Sequence, residues 1–463
     1  MRVFARGGTP QGERNNMNKD LTTGSVWGNI IRFSLPYLLS YFLQTLYGMA
    51  DLYIIGQFDP VASTTSVAVG SQVMHMLTVM LVGLAMGSTV SIGQSIGKGD
   101  RKKAALDLGN TITIFMLLSL VLTAVLLALR GAIVNVMSTP TEAVDGAVKY
   151  LTVCFIGIPF ITAYNIIASI FRGLGDSKSP MYFIAIACVT NIALDYLFMG
   201  VFRLGPVGAA LGTTISQAIS VIVSLIAVMK RDTGIRLKSS DFHPVKQIVA
   251  QIMRIGLPVM LQDGFIQVSF IIITIIANKR GLIDSAAVGI VEKIIGIFFL
   301  IPSSMLSTVS ALGAQNIGAG KRDRAIETLK YGVLIAASIG FTLSIITQFM
   351  AEPIVSLFTD KTDGAEVIIR GGQYLRGYVW DCSFAGVQFS FSGYFCAVGR
   401  SELSFMHNTI SILTTRIPGA YLTSKYFPQT LFPMGLASAA GSLVSCIVCF
   451  IAFAATEKRK EKL

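Results

Sequence analysis

Along residues 27–456 the chain alternates long apolar runs with short polar breaks. Runs of about 20 apolar residues are long enough to cross the hydrocarbon core of a bilayer as helices. They fall near 27–50, 61–86, 109–130, 148–171, 180–200, 206–229, 250–278, 284–310, 329–351, 369–396, 402–424 and 431–456. The pattern predicts an all-α membrane protein with twelve transmembrane helices. Residues 230–249, KRDTGIRLKSSDFHPVKQIV, form the long polar break near the middle. They separate an N-lobe of helices 1–6 (27–229) from a C-lobe of helices 7–12 (250–456). A polar segment (1–26) precedes the lobes and a basic tail (457–463) follows them. The first segment lacks the apolar core of a signal peptide. Met17 reads as a natural start, which leaves 1–16 as an upstream start or vector sequence.

The chain also repeats itself. IIRFSLP (30–36) returns as IMRIGLP (252–258), placing Arg254 on Arg32 and Pro258 on Pro36. QSIGKGDRKKA (94–104) returns as QNIGAGKRDRA (315–325), and FRGLGDS (171–177) has a looser echo in FSGYFCAVGRS (391–401). Ordered matches at nearly one offset predict two homologous halves. Six spans per half is an even number, so both halves enter the membrane from the same side. That makes them parallel repeats about an axis along the membrane normal, with a substrate cleft expected between the lobes. Pro36 and Pro258 each remove a backbone hydrogen bond from the first helix of a half, which marks them as hinges.

Composition agrees with the pattern. At 53% hydrophobic and 13% charged residues, the chain has too few charges to cover a soluble surface. The net charge of +12 belongs to loops facing an anionic leaflet, not to a nucleic-acid interface. With the N-terminus inside, Lys and Arg are about threefold more numerous on the cytoplasmic side. The main contributors are Lys98 to Lys103, Lys230 to Lys246, Lys321 to Arg324 and Lys458 to Lys462. Both termini are therefore expected in the cytoplasm, and the protein in the plasma (inner) membrane.

Several enzymatic chemistries are excluded. Cys446 and Cys449 have a C-x-x-C spacing but lie in the apolar run LVSCIVCFIAF with no second ligand pair, so they read as buried thiols. His75, His243 and His407 are dispersed. No G-x-x-x-x-G-K-[ST] occurs, which excludes P-loop nucleotide hydrolysis and leaves an ion gradient as the driving force. No nucleophile or acid pair supports catalysis, and no cofactor is expected.

Ionisable residues inside spans are the sharpest functional signal, because each is costly at the bilayer centre unless it faces protein or water. Asp51, Asp195, Asp263, Glu292, Lys293, Arg376, Asp381 and Arg416 qualify. The plain alternative for each is a structural polar contact. Asn191 lies four residues before Asp195, so the two share a helix face. Thr213 and Thr214 follow on the next span. An amide, a carboxylate and a hydroxyl on neighbouring helices can share hydrogen bonds and hold or release a proton.

Together these residues make the chain resemble the MATE (multidrug and toxic-compound extrusion) family, bacterial type, from Met17 onward. The resemblance rests on the two six-helix halves, the first helix with Pro36, Asp51 and Gly56, and the Q-x-x-G loops at Gln94 and Gln315. It rests equally on RGLGDSKSP at 172–180 and the Asn191/Asp195 helix. It implies export of cationic or amphipathic organic compounds in exchange for H⁺ or Na⁺, by rocking between inward- and outward-open states. It also implies a cation-coupling cluster of Asp51, Asn191, Asp195 and Thr213 in the N-lobe, where a Na⁺ ion would find its ligands. In the C-lobe the tenth-helix aspartate of the family matches Asp381. The seventh-helix acid has no clear match, since Gln267 stands at about its place; Glu292 and Lys293 complete the C-lobe cleft candidates. The proton is favoured as coupling ion, because protonation of Asp195 would free its hydrogen bonds and let the Pro36 helix bend. The expected partners are small organic molecules and membrane lipid, without nucleic acid, for a monomer. A lipid-linked precursor flippase of the same superfamily is the alternative. It would need several Arg or Lys in the cleft to hold a diphosphate.

Overall fold

The computed structural model describes residues 21–230, 235, 237–359 and 364–460. The readings made for 1–20, for Arg231 and Arg236 in the linker, and for the last residues of the tail lie outside them. The first half contains α1 (Val26–Phe58), α2 (Val61–Gly97), α3 (Arg101–Val136), α4 (Thr141–Ile156), α5 (Ile158–Gly173), α6 (Lys178–Asp195) and α7 (Gly205–Lys230). The second contains α8 (Lys246–Asn278), α9 (Leu282–Phe298), α10 (Leu300–Gly318), α11 (Arg322–Val355), α12 (Ala365–Tyr378) and α13 (Trp380–Ala397), then α14 (Glu402–Ser411), α15 (Ile417–Tyr426) and α16 (Phe432–Lys460).

Four predicted spans are each built from two helices: α4 with α5, α9 with α10, α12 with α13, and α14 with α15. Joined in this way, the helices follow the twelve apolar runs in order. The α4–α5 pair bends by 49° at Gly157. Among the described residues, nine helical stretches are long and apolar enough to cross a membrane alone, or ten with that bent pair. The breaks in the other spans have a chemical address. α12 gives way to α13 two residues before Asp381, and α14 passes to α15 through a π-helical segment, Ile412–Arg416, that carries Arg416. A matching π-helical segment, Tyr196–Val201, directly follows Asp195 at the end of α6. Such widened turns are frequent at functional sites.

The chain divides into two compact units. Unit 1 is built on Leu35–Gly256 with Gly318–Gly320, and unit 2 on Leu257–Ile317 and Lys321–Leu463 with Gly24–Ser34. Each change of unit inside α1 and α8 falls one residue before a proline within the helix, Pro36 or Pro258. Unit 1 packs Ile54, Ile55, Tyr150, Leu151 and Phe155 in its core; unit 2 packs Ile294, Ile295, Tyr374, Leu375 and Tyr378. The outer helices keep large apolar side chains exposed, among them Leu117, Leu120 and Val121 on α3. Such a band is what a helix shows to lipid.

The linker is pinned to unit 1. A 3₁₀ turn in it, Ser239–Phe242, lies against the start of α3. The Asn110 side chain donates to the Asp241 carbonyl (3.2 Å) and accepts from the Val245 N–H (2.6 Å). Thr113 donates to the Phe242 carbonyl at 2.8 Å. Gly109 permits the approach, because a Cβ there would strike the Asp241 carbonyl.

Candidate functional site

The polar cluster of unit 1 is assembled from three helices. α1 supplies Asp51, α6 supplies Asn191 and Asp195, and α7 supplies Thr213. Asp51 is 2% exposed, Asn191 1% and Asp195 0%. Thr213 donates its hydroxyl to Asp51 Oδ2 at 3.2 Å. Asp51 also lies in the immediate electrostatic surroundings of Asp195 and Asn191. Gly212 explains how α6 and α7 come so close. A Cβ at this position would collide with Asp195 Oδ1 and reach Asn191 Nδ2 at 3.6 Å. The four residues named from the sequence therefore meet inside unit 1, although more than 160 positions separate the first from the last.

Their hydrogen bonding is incomplete. Asp51 Oδ1, both carboxylate oxygens of Asp195, both amide atoms of Asn191 and Thr214 Oγ1 are buried without a hydrogen-bond partner. Buried polar atoms left in this state are expensive. Here they cluster, on three neighbouring helices. Two carboxylates in one water-poor site repel when both are charged, and a cation held between them relieves the repulsion.

Unit 2 treats its carboxylates differently. Asp381, at the start of α13, is 0% exposed, and its Oδ2 accepts from Arg416 Nη2 at 3.3 Å. The same nitrogen donates to the Tyr378 hydroxyl at 2.5 Å. The guanidinium carbon stands 5.0 Å from the Phe270 ring centroid and 5.7 Å from that of Tyr378. Arg416 thus lies in a cage of acid and aromatic faces, the kind of environment that holds an organic cation. Glu292 is half-buried on α9, accepts from the Thr274 hydroxyl of α8 at 3.1 Å, and lies in the field of Arg416. Lys293 is exposed and Gln267 half-buried, and neither joins this group. Arg376 turns to Glu352 at 3.1 Å and does not pair with Asp381. The sequence marks Arg416 as an embedded cation but does not indicate its partner. The π-helical turn that aims it across to α13 leaves no mark in residue spacing.

Comparison with known proteins agrees with this architecture. The MatE family profile matches twice, over residues 36–197 and 258–422. Both matches begin at a helix proline. The probable multidrug resistance protein YpnP of Bacillus subtilis (strain 168) is 29% identical over 417 residues, 90% of this chain and 93% of its own. The probable multidrug resistance protein NorM of Thermotoga maritima is 24% identical, with 86% of each chain covered. Among solved structures, the outward-facing conformation of a multidrug resistance MATE family transporter of the MOP superfamily superposes with a TM-score of 0.89 at 23% identity. That match covers 96% of this chain and 99% of the other, and it shows the shared fold. A MOP superfamily transporter from Pyrococcus furiosus superposes at 0.87, also at 23% identity, over 94% of this chain and 96% of its own. With the family profile covering most of both halves, the chain belongs to the MATE family of multidrug and toxic-compound extrusion transporters, and is a multipass membrane protein.

Proposed function

We propose that this protein is a secondary antiporter that exports cationic or amphipathic organic compounds, with the coupling cation bound in unit 1 by Asp51, Asn191, Asp195 and Thr213. The observation that carries the reading is the pair of buried carboxylates with unpaired oxygens, Asp51 and Asp195, on helices α1 and α6. Each turnover would load one cation there and exchange it for substrate as the lobes alternate. Both termini face the cytoplasm in this reading, following the charge of the loops. The proton is the favoured ion. It needs one carboxylate, whereas Na⁺ needs several oxygens arranged at once. The oxygens of Asp51, Asn191, Asp195 and Thr213 also make Na⁺ chemically feasible, so the experiment must separate the two.

Purified protein in liposomes is tested under a pH gradient alone and under a Na⁺ gradient alone, with a fluorescent organic cation as substrate. Efflux is expected to follow the pH gradient, and Asp195→Asn to abolish it with normal membrane insertion. Na⁺-driven efflux at fixed pH, without response to the pH gradient, would transfer the coupling to Na⁺. Undiminished gradient-driven efflux in Asp195→Asn would remove the coupling role of the cluster.

The flippase reading is disfavoured by the arginines. A diphosphate needs unpaired guanidinium groups. The two span arginines singled out in the sequence, Arg416 and Arg376, are each committed to a carboxylate of their own unit.

A further inference from the structure

Besides Asp381, unit 2 carries two carboxylates at span depth, Asp263 on α8 and Glu292 on α9. Among the described residues, no lysine or arginine forms an ion pair with either. After Pro258, α8 shows three faces. Leu261, Phe265, Val268 and Ile275 recur at helical spacing and are exposed, an apolar band of the kind a span turns to lipid. Gln262, Ser269 and Ile273 are fully buried in the unit. Asp263, Gln267, Phe270 and Thr274 fall on a third face, each three or four residues from the next, and all four are half-buried. A carboxylate on this face avoids the lipid band, where its charge would be costly, and is not sealed in the core. Asp263 and Gln267 make no hydrogen bond among the described residues, and their polar ends are not enclosed.

The far end of the face reaches the second acid, because Thr274 donates to Glu292 Oε2 at 3.1 Å. Between Asp263 and Thr274 the helix rises by about 16 Å. Phe270 lies along the way. Arg416 stacks on its ring but is answered by Asp381, so it leaves both other acids unneutralised. Lys293 is exposed and turned about 100° from Glu292 around α9.

We propose that this face of α8 docks the exported compound and selects an elongated organic dication, with one positive end on Asp263 and the other on Glu292. The inference rests on the export of organic cations argued above and names the subclass. A single positive charge leaves one carboxylate unanswered at span depth, whereas a dication of matched length neutralises both. The rise of the helix thus acts as a ruler. The body of the compound lies along Phe270, and Gln267 offers its amide to a polar group beside it. Quaternary ammonium ends suit such a place, since they ask only for a negative partner and an aromatic face.

The test uses the full chain in detergent, without any gradient. The probes are α,ω-bis(trimethylammonium) alkanes of increasing length and their mono(trimethylammonium) counterparts, with binding read by titration calorimetry. Affinity is expected to peak at the member whose nitrogens stand about 16 Å apart. That member should bind about tenfold tighter than its mono counterpart, the scale of one close charge pair. Asp263→Asn and Glu292→Gln should each remove this advantage and change binding of the mono compound little. Affinity that climbs steadily with length, without a maximum, marks simple partition onto an apolar surface and overturns the ruler. An advantage that survives in both variants overturns it equally. Both replacements keep the side-chain shape, and the length series on the parent needs no variant, so a misfolded variant leaves the series to decide. Asp195→Asn should keep the length maximum while losing gradient-driven efflux. A parent with the maximum but no gradient-driven efflux keeps the ruler and loses the antiporter reading; efflux without the maximum does the reverse.

Discussion

Gly212 carries no chemistry, yet it decides whether Asp195 can sit where it does. The α7 backbone must come within touching distance of the carboxylate, and a single added methyl occupies the space of Oδ1. Gly212→Ala is therefore expected to part α6 from α7 and cost about 1–3 kcal/mol, the usual scale of overpacking. A lowered unfolding midpoint in detergent, together with weakened gradient-driven efflux, is the expected pair of results. Arg416 presents the opposite case, a residue held by what surrounds it. Removing it leaves Asp381 charged and uncompensated in a site with no exposure, a loss of about 3–5 kcal/mol for a broken buried pair. Arg416→Met should thus unfold far more readily than the parent. The double variant with Asp381→Asn should recover much of the stability, because it leaves no orphan charge. If that double variant also retains gradient-driven efflux, Asp381 is an internal counter-ion and not a docking point for substrate.

At the scale of elements, the two halves place a π-helical segment in corresponding spans and use it differently. In unit 1 it follows Asp195, and the carboxylate stays unpaired; in unit 2 it delivers Arg416 to a carboxylate. The same local widening thus adjoins a carboxylate without a hydrogen-bond partner in one half and carries the arginine that meets a carboxylate in the other. The linker makes a further element-scale prediction. Asn110 serves the Asp241 carbonyl and the Val245 N–H together, so Asn110→Ala releases both ends of the docked turn. Tryptic cleavage at Lys238 should then become faster, while the melting of the helical core changes little. Cleavage at the parent rate would show that Thr113 and the backbone suffice to hold the turn. None of this pinning was legible in the sequence, where 230–249 read only as a polar break. A contact between Asn110 and residues 131–135 positions away has no periodicity to announce it.

Over the whole molecule, what could be read in advance was what the bilayer enforces. Twelve apolar runs appear because each span must satisfy its own backbone as a helix. The meeting of Asp51, Asn191, Asp195 and Thr213 was anticipated because polar groups in lipid must find each other or water. Internal breaks such as Gly157 stayed hidden, since a bend changes the direction of a span without changing its composition. The pairing of Asp381 with Arg416 stayed hidden for a related reason. Arg376 lies nearer in sequence, but the packing of α12 against α11 turns it to Glu352.

The assignment of Gly24–Ser34 to unit 2 bears on how the protein is made. Arg324 donates to the Gly24 carbonyl across 300 residues of chain, and Trp27 meets the Tyr331 ring edge-on at 5.7 Å. The opening turns of α1 thus find packing partners among residues synthesised much later. At about 5–20 residues per second, that delay is roughly 15–60 s. Through this interval the stretch before Pro36 has no unit to join, while the stretch after it can already pack with α2. A nascent chain halted before α11 should therefore leave Trp27 open to a membrane-side crosslinker, and one halted after α11 should protect it. Equal labelling of the two would mean that the N-terminal turns are covered by something other than unit 2. The proline would then divide a helix in time as well as in space, with one side assembled early and the other held over until the second half arrives.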